Sequence, residues 1–274
     1  MADVPFDPAG AVAVVTGATR GIGRQAAIAL GRAGARLVLV GRTGAESPSA
    51  VLPGSLDEVA GQLAAEGIEA HTVQADLTDP AATQTIVDRT LEWYGGCDIL
   101  VNNAAYTSNG PIIDIPWSRW QKAMRAQVVA PLQLVQGFVP GMQARGRGRV
   151  VNVSSAAAVS LASGLALYSV SKQAMERLND YLHLELGGHG VTFNVLRIER
   201  VVATEGWQHV YDTQGAEVAT MGGSVTDVIA PEVVGRQIEW MVRQPDGWSG
   251  QVVGCDDISR AGGPATVSDG RMAK

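Results

Sequence analysis

Short apolar runs alternate with amphipathic stretches along almost the whole chain. The apolar runs are rich in β-branched residues and show no polar face, which is typical of strands in a parallel sheet with helices on both sides. They predict strands at Ala11–Val15, Arg36–Val40, Glu69–Ala75, Ile99–Val101, Arg149–Val153, Val191–Ile198 and Gln251–Val253.

The stretches between these strands follow the helical period. Pro131 and Pro140 are expected to kink or end parts of the longest helix. No repeat, linker or low-complexity segment divides the chain, so we predict one α/β domain over residues 1–274. The predicted helices are Arg24–Ala33, Leu56–Glu66, Pro80–Tyr94, Ser118–Ala144, Leu167–Leu186 and Pro231–Arg243.

Composition narrows the class of protein. Of the 274 residues, 46% are hydrophobic and 18% charged, and the net charge is −6, which indicates a globular protein with no basic field for nucleic acid or acidic lipid. The basic cluster Arg145–Arg149 is predicted to be a solvated connection. Cys97 and Cys255 fit neither a disulfide framework nor a metal site. With no signal segment and no membrane-spanning apolar run, we expect a cytoplasmic protein without membrane partners.

Tyr168 and Lys172 lie four residues apart and therefore share one face of a helix. The lysine charge favours the tyrosinate and is expected to lower the phenol pKa from its usual value of about 10. Such a phenol can exchange a proton with a carbonyl/alcohol pair. Chance spacing in a buried helix would also explain the pair, but Ser155, thirteen residues before Tyr168, supports the chemical interpretation.

A glycine-rich turn, Thr16–Gly23, follows the first predicted strand and opens the first helix. Glycines there allow a tight turn and bring backbone N–H groups close to a pyrophosphate at the positive end of the helix. The spacing is Gly-x-x-x-Gly-x-Gly. We therefore predict a dinucleotide site whose contacts include Gly17, Thr19, Arg20, Gly21, Ile22 and Gly23.

The end of the second strand carries Gly41 and Arg42 where an acidic residue would hold a ribose 2′-hydroxyl. Arg42 and Arg20 together suit a 2′-phosphate, so NADP(H) is favoured over NAD(H) as the cofactor. An isolated arginine is more often a surface charge, and only their joint placement favours this interpretation. Asp76 and Leu77 follow the third strand, where Asp76 either accepts from the adenine amino group or forms a turn.

Two connections break the regular alternation. Residues 41–55 are longer than an α/β unit needs, and form either a surface excursion or an extended loop over the adenosine end of the cofactor. Residues 199–226, which include Met221, show no clear period and are predicted to be a lid over an apolar substrate. Candidate substrate contacts are Ala157, Val159, Ser163, Leu165, Trp207 and Tyr211.

Four motifs in order, Thr16–Gly23, Asn102–Ala105, Ser155 and Tyr168-x-x-x-Lys172, resemble the short-chain dehydrogenase/reductase family. The resemblance runs from about Val12 to Gly254. It implies a single Rossmann-type doubly wound domain with a seven-stranded parallel sheet. It also implies a homodimer or homotetramer, with the helices near 118–144 and 167–186 as interfaces.

The resemblance implies a role for each matching residue. Tyr168 would be the general acid/base, and Lys172 would hold the nicotinamide ribose and lower the tyrosine pKa. Ser155 would hydrogen-bond the carbonyl or hydroxyl oxygen, since the interval to Tyr168 matches Ser155 and not Ser154.

Further positions either follow the family pattern or depart from it. Asn103 and Ala104 would line the nicotinamide side, and Asn102 would brace the central strands. Gln127, 28 residues before Ser155, stands where the family carries an Asn whose carbonyl holds a water of the proton relay. We count Gln127 as catalytic and expect activity to survive, slowed. No Pro-Gly pair follows the sixth strand, which leaves the family role of Thr204 open.

The leading hypothesis is an oxidoreductase that transfers hydride between NADP(H) and the carbonyl or secondary alcohol of an apolar small molecule. The alternative is a catalytically idle dinucleotide-binding sensor or scaffold, suggested by Gln127 and the missing Pro-Gly pair. The intact serine, tyrosine and lysine argue against it. Dehydration or epimerisation on this fold belongs to longer chains, and this length disfavours both.

Overall fold

A parallel seven-stranded sheet forms the centre of the protein. The computed structural model describes residues 4–44, 52–215 and 228–266. The strands are β1 (Val12–Thr16), β2 (Arg36–Gly41), β3 (Ala70–Gln74), β4 (Ile99–Asn102), β5 (Gly148–Ser155), β6 (Val191–Ile198), β7 (Val201–Val202), β8 (Val228–Ile229) and β9 (Val252–Gly254). The main sheet has the strand order β3-β2-β1-β4-β5-β6-β9, and β7 pairs separately with β8. The predicted seven-stranded parallel sheet is confirmed.

Both faces of the sheet are buried, as the uninterrupted apolar strands predict. In β1, Val14 pairs with Val38 on one side and with Leu100 on the other. Because successive side chains point to opposite faces, Val14 packs into one core while Ala13 and Val15 pack into the other. Each face therefore needs its own layer of helices.

Helices supply those two layers. The helices are α1 (Gly21–Arg32), α2 (Leu56–Ala65), α3 (Ala82–Tyr94), α4 (Trp117–Met124), α5 (Ala130–Arg145), α6 (Ala166–Leu186), α7 (Glu205–Gln214), α8 (Pro231–Val242) and α9 (Cys255–Arg260). The core on one face takes side chains from α1, α2 and α8, and the core on the other face takes them from α3, α5 and α6. Within the described ranges, no helix is long and apolar enough to cross a membrane.

The longest predicted helix is divided at an unexpected place. A π-helical segment, Arg125–Val129, separates α4 from α5. Pro131 lies in the first turn of α5, where a proline is tolerated, but Pro140 lies inside α5 without ending it. The helix therefore does not end at Pro140, where buried neighbours such as Phe138 and Met142 hold this turn against the sheet.

The connection after β6 is more regular than its sequence predicts. Thr204 caps α7 by accepting a hydrogen bond from the backbone N–H of Trp207 at 3.1 Å, and Glu205 adds an acidic group to the first turn. Capping and charge, rather than an apolar period, mark this helix. Met221 and the rest of the predicted lid beyond residue 215 lie outside the described residues, as do residues 45–51 of the extended loop.

Candidate active site

A cavity of about 740 Å³ opens at the carboxyl ends of the central strands, where ligands bind in open α/β sheets. It gathers most of the predicted site residues around one space. Among the predicted residues that line it are Gly17, Thr19, Arg20, Gly21, Ile22, Arg42, Asp76, Leu77, Asn103, Ala104, Ser155, Tyr168 and Lys172.

Ser155 and Tyr168 meet on one wall of this cavity. Ser155 ends β5, and its side chain accepts from the backbone N–H of Ala157 at 3.2 Å, which fixes the hydroxyl at the start of a short 3-10 turn. Burial raises the pKa of Tyr168, and a side-chain hydrogen bond with Ser155 opposes that rise. The expected lowering of the tyrosine pKa is therefore not met, because removal of the phenol from water disfavours its anion.

Lys172 lies one helical turn below the tyrosine and is almost fully buried. Its ammonium donates to the carbonyl of Val153 at 2.7 Å and lies 5.6 Å from the Tyr168 ring centroid. Burial lowers the pKa of Lys172 to about 8, while the Glu176 carboxylate acts in the opposite direction. The positive charge of Lys172 is therefore lost as the pH rises through about 8.

Gln127 lies in the π-helical segment and is 2% exposed. Its side-chain amide donates to Ser171 Oγ at 2.5 Å, and Ser171 in turn donates to the carbonyl of Tyr168 at 2.9 Å. The neighbouring Ala126 lines the cavity and Gln127 does not. The side chain of Gln127 thus contacts the helix that carries the Tyr/Lys pair instead of the cavity, and its proposed catalytic role rests on the family pattern alone.

A buried acid behind the site was not expected from the sequence. Glu176 accepts from Ser154 Oγ at 2.6 Å and from the Arg197 guanidinium at 2.7 and 3.0 Å. These contacts tie α6 to the ends of β5 and β6. Glu176 follows Lys172 by four residues, a helical spacing that the sequence does contain, but its partner Arg197 is visible only in the fold.

The glycine turn has the conformation that its sequence requires. Gly17 and Gly21 have φ of +69° and +54°, which other residues rarely adopt. Gly23 does not line the cavity, and a Cβ atom there would overlap the Gly17 carbonyl oxygen. Gly23 therefore shapes the turn from behind.

The asparagines after β4 support this turn and the sheet. Asn103 donates from its side chain to the carbonyl of Thr16 at 2.9 Å, and the backbone N–H of Ala104 donates to Thr16 Oγ1 at 3.1 Å. Asn102 donates to Asn152 at 2.9 Å, which confirms its predicted bracing of the central strands. Asn103 lines the cavity and also fixes the glycine turn.

The two predicted phosphate-binding arginines differ in their contacts. Arg20 donates to the carbonyls of Pro53 and Gly54 at 2.7 and 3.2 Å, and so anchors one end of the extended loop. Arg42 is exposed, and its side chain makes no hydrogen bond to the residues that the structure describes. Burial lowers the pKa of Arg20, and the Arg42 charge acts in the same direction. Arg42 is therefore the better placed of the two for an incoming anion.

Asp76 and Leu77 follow β3 at the far end of the cavity. Asp76 accepts from the backbone N–H of Thr78 at 2.9 Å, the turn interaction that the sequence allowed, and it also lines the cavity. Both predicted roles of Asp76 are therefore compatible with its position. Leu77 is 5% exposed and contributes an apolar surface.

The substrate side differs from expectation. Of the six candidate substrate contacts, Trp207 lines the cavity, and within the described part of the chain Ala156 and Ser160 line it where Ala157 and Val159 were expected. Ala156, one residue before the predicted Ala157, is the residue that faces the cavity, and Ala157 is buried in the core. After β6, Glu199 and Arg200 line the cavity, and a hydrogen bond of 2.9 Å from the Arg200 guanidinium to Asp256 ties this segment to α9. Thr204 also lines the cavity.

The family model for short chain dehydrogenases matches residues 11–215. Gluconate 5-dehydrogenase of Gluconobacter oxydans is 35% identical over 208 residues, 73% of this chain and 78% of that protein. Glycine betaine reductase ATRR of Emericella nidulans is 32% identical over 90% of this chain, which spans only 19% of that protein. Dehydrogenase/reductase SDR family member 7B of Bos taurus is 34% identical over 68% of this chain, which spans 56% of that protein.

Two solved structures share the fold over nearly their whole length. L-sorbose reductase of Gluconobacter frateurii, complexed with NADPH and L-sorbose, has a TM-score of 0.78 at 27% identity and covers 91% of this chain and 97% of its own. A chain from Beutenbergia cavernae with NADP at low occupancy has a TM-score of 0.77 at 30% identity, with coverage of 94% and 99%. The protein belongs to the short-chain dehydrogenase/reductase family, a family of oxidoreductases.

Proposed function

We propose that the protein is an NADP(H)-dependent reductase or dehydrogenase acting on a carbonyl or secondary alcohol of a small molecule. The observation that carries this proposal is the convergence of Ser155, Tyr168 and Lys172 on one wall of a cavity whose other wall is the glycine turn. NADPH and NADP in the two solved neighbours support this cofactor choice, as does the exposed Arg42.

The residues present fit a dinucleotide. Gly17 and Gly21 have no side chains and line the cavity with Ile22 beside the first turn of α1, where a pyrophosphate would lie. Arg42 would hold a 2′-phosphate, and Lys172 the nicotinamide ribose. The bound cofactor would supply or accept the hydride.

The proton chemistry belongs to the protein. Tyr168, kept protonated by burial, would donate its proton to the alkoxide oxygen formed in reduction and take it back in oxidation. Ser155 would donate a hydrogen bond to the same oxygen and stabilise its developing charge. Lys172 would hold a positive charge below the phenol, which stabilises the tyrosinate left after transfer.

The substrate and assembly belong to the same proposal. Trp207 gives the substrate side an apolar surface, whereas Glu199 and Arg200 give it charge. Relatives named for gluconate and L-xylulose support a small hydroxylated or carbonyl compound. We propose a homodimer or homotetramer in the cytoplasm, with exposed apolar residues of α6, such as Tyr181 and Leu184, in the interface.

A Tyr168→Phe variant tests the function. We expect about 10²–10⁴-fold less turnover on a ketone and alcohol panel, with NADPH binding unchanged, because only the proton donor is lost. Tyr94→Phe, at the end of α3 and away from the cavity, is the matched control and should retain full turnover. Near-normal turnover of Tyr168→Phe would overturn the proposal. A wild-type protein that binds NADPH but turns over no compound of the panel would favour the sensor.

A further inference from the structure

The start of α7 rests directly on the glycine turn. The backbone N–H of Gly21 donates to Glu205 Oε2 at 3.0 Å. The methyl group of Thr204 packs so closely that a Cβ at Gly21 would lie 3.0 Å from it. Two consecutive residues from a segment 184 positions away therefore contact the first residue of α1.

This contact caps the N-terminus of α1, which has no capping side chain from its own segment. The first N–H groups of a helix have no partner within the helix and carry partial positive charge. The residue before α1, Arg20, provides no side-chain cap, and the first turn of α1 contains no acidic residue. Glu205 supplies both the missing acceptor and the negative charge.

We propose that Glu205 is an internal anionic ligand of the glycine turn that competes with the pyrophosphate of the cofactor. The proposal rests on the dinucleotide function proposed above. A carboxylate and a phosphate seek the same N–H groups and the same positive helix end, so they exclude each other. Arg20 next to Gly21 also feels the Glu205 charge, which makes this end of the turn one shared electrostatic site.

Competition would couple the cofactor to the shape of the substrate side. Trp207 lies two residues after Glu205 in α7 and lines the same cavity. When a pyrophosphate displaces the Glu205 carboxylate, the first turn of α7 loses its bond to Gly21. The loss of this bond would then reach Trp207 through the same turn. Glu205 thus sets both the affinity for the cofactor and the position of an apolar substrate contact.

Equilibrium titration of NADPH, followed by its fluorescence, tests this inference in the wild type, Glu205→Gln and Glu205→Ala. We expect both variants to bind NADPH roughly three- to tenfold more tightly, because a competing anion and its charge have been removed. Glu232→Gln, in the first turn of α8 and away from the cavity, removes one negative charge as a matched control. It should bind NADPH like the wild type.

Adenosine 2′-monophosphate, which has no pyrophosphate, provides the second arm. Its affinity should be the same in the wild type and both Glu205 variants. Unchanged or weaker NADPH binding in both variants, or an equal gain for the monophosphate, would overturn the role of Glu205. A wild type that binds no NADPH at all would contradict the proposed function, and this result is distinct from the others.

Discussion

The two walls of the cavity are built in different ways. The catalytic wall, formed by Ser155, Tyr168 and Lys172, is held by buried hydrogen bonds from the sheet and from the π-helical segment behind α6. The cofactor wall, formed by the glycine turn and Arg42, receives its charges from exposed side chains and from distant segments. Arg42 is exposed, whereas Lys172 is 4% exposed.

This difference separates positioning from affinity. Proton transfer requires atoms fixed within hydrogen-bond distance, which buried contacts provide. Recognition of a phosphate depends more on charge, which exposed arginines supply without close packing. Substitutions in the cofactor wall should therefore change binding and leave chemistry alone. Substitutions behind the catalytic wall should change chemistry or stability and leave binding alone.

The largest of these effects is expected for Arg42→Ala. Loss of the guanidinium should weaken NADPH binding by about tenfold or more, because a charge-assisted hydrogen bond contributes about 1.5–3 kcal/mol. NADH binding should not change, since NADH has no 2′-phosphate. Turnover at saturating NADPH should also be unchanged. Separate titrations with NADPH and with NADH measure the ratio of the two dissociation constants.

Arg89→Ala is the control for this substitution, since Arg89 is an exposed arginine of α3 that pairs with Glu92. It should leave both affinities unchanged. Equal losses for NADPH and NADH in Arg42→Ala would show a general charge effect. No loss for NADPH would remove Arg42 from the cofactor wall.

A smaller effect is expected from Glu176, the buried acid behind the catalytic wall. The pKa of Lys172 is about 8, so its positive charge is present below that pH and lost as the pH rises through it. Tyr168, whose pKa is raised, stays protonated in this range. The alkaline limb of the pH profile, where carbonyl-reduction activity falls as the pH rises, should therefore follow the loss of the Lys172 charge. Removal of the Glu176 charge in Glu176→Gln lowers the lysine pKa further and moves that limb to lower pH.

The measurement is the pH profile of kcat/KM between pH 6 and about 10, a span that covers the titration of Lys172. At pH 8 to 9 the variant should lose activity severalfold, while its activity at pH 6 stays closer to that of the wild type. Arg197 pairs with Glu176, so Glu176→Gln also leaves the Arg197 guanidinium without its counter-charge. The loss of the carboxylate and the uncompensated guanidinium both lower the pKa of Lys172. Glu185→Gln, exposed on α6, should leave the profile in place. An unmoved limb would exclude Glu176 from this role.

The sequence predicted the residues of both walls better than the contacts that hold those residues in place. Buried parallel strands and the Tyr168/Lys172 spacing are local patterns, and both appear in the structure as expected. The contacts of Glu205 with Gly21 and of Glu176 with Arg197 join residues that are far apart in the chain. No local period or motif encodes such a pair, because the fold alone brings its members together. The sequence likewise gives no signal for the π-helical segment.

The smallest effect on activity is expected at Gln127, which lies behind the catalytic wall. Gln127→Met keeps the side-chain volume but removes the donor to Ser171 Oγ. Because Gln127 Oε1 is buried without a partner among the described residues, part of the loss is offset by removal of that acceptor. We expect a loss of about 1 kcal/mol in the free energy of unfolding, measured by urea denaturation, and turnover within about twofold of the wild type. Gln121→Met, exposed on α4, should change neither quantity. A large loss of turnover in Gln127→Met at unchanged stability would instead return this side chain to the proton relay.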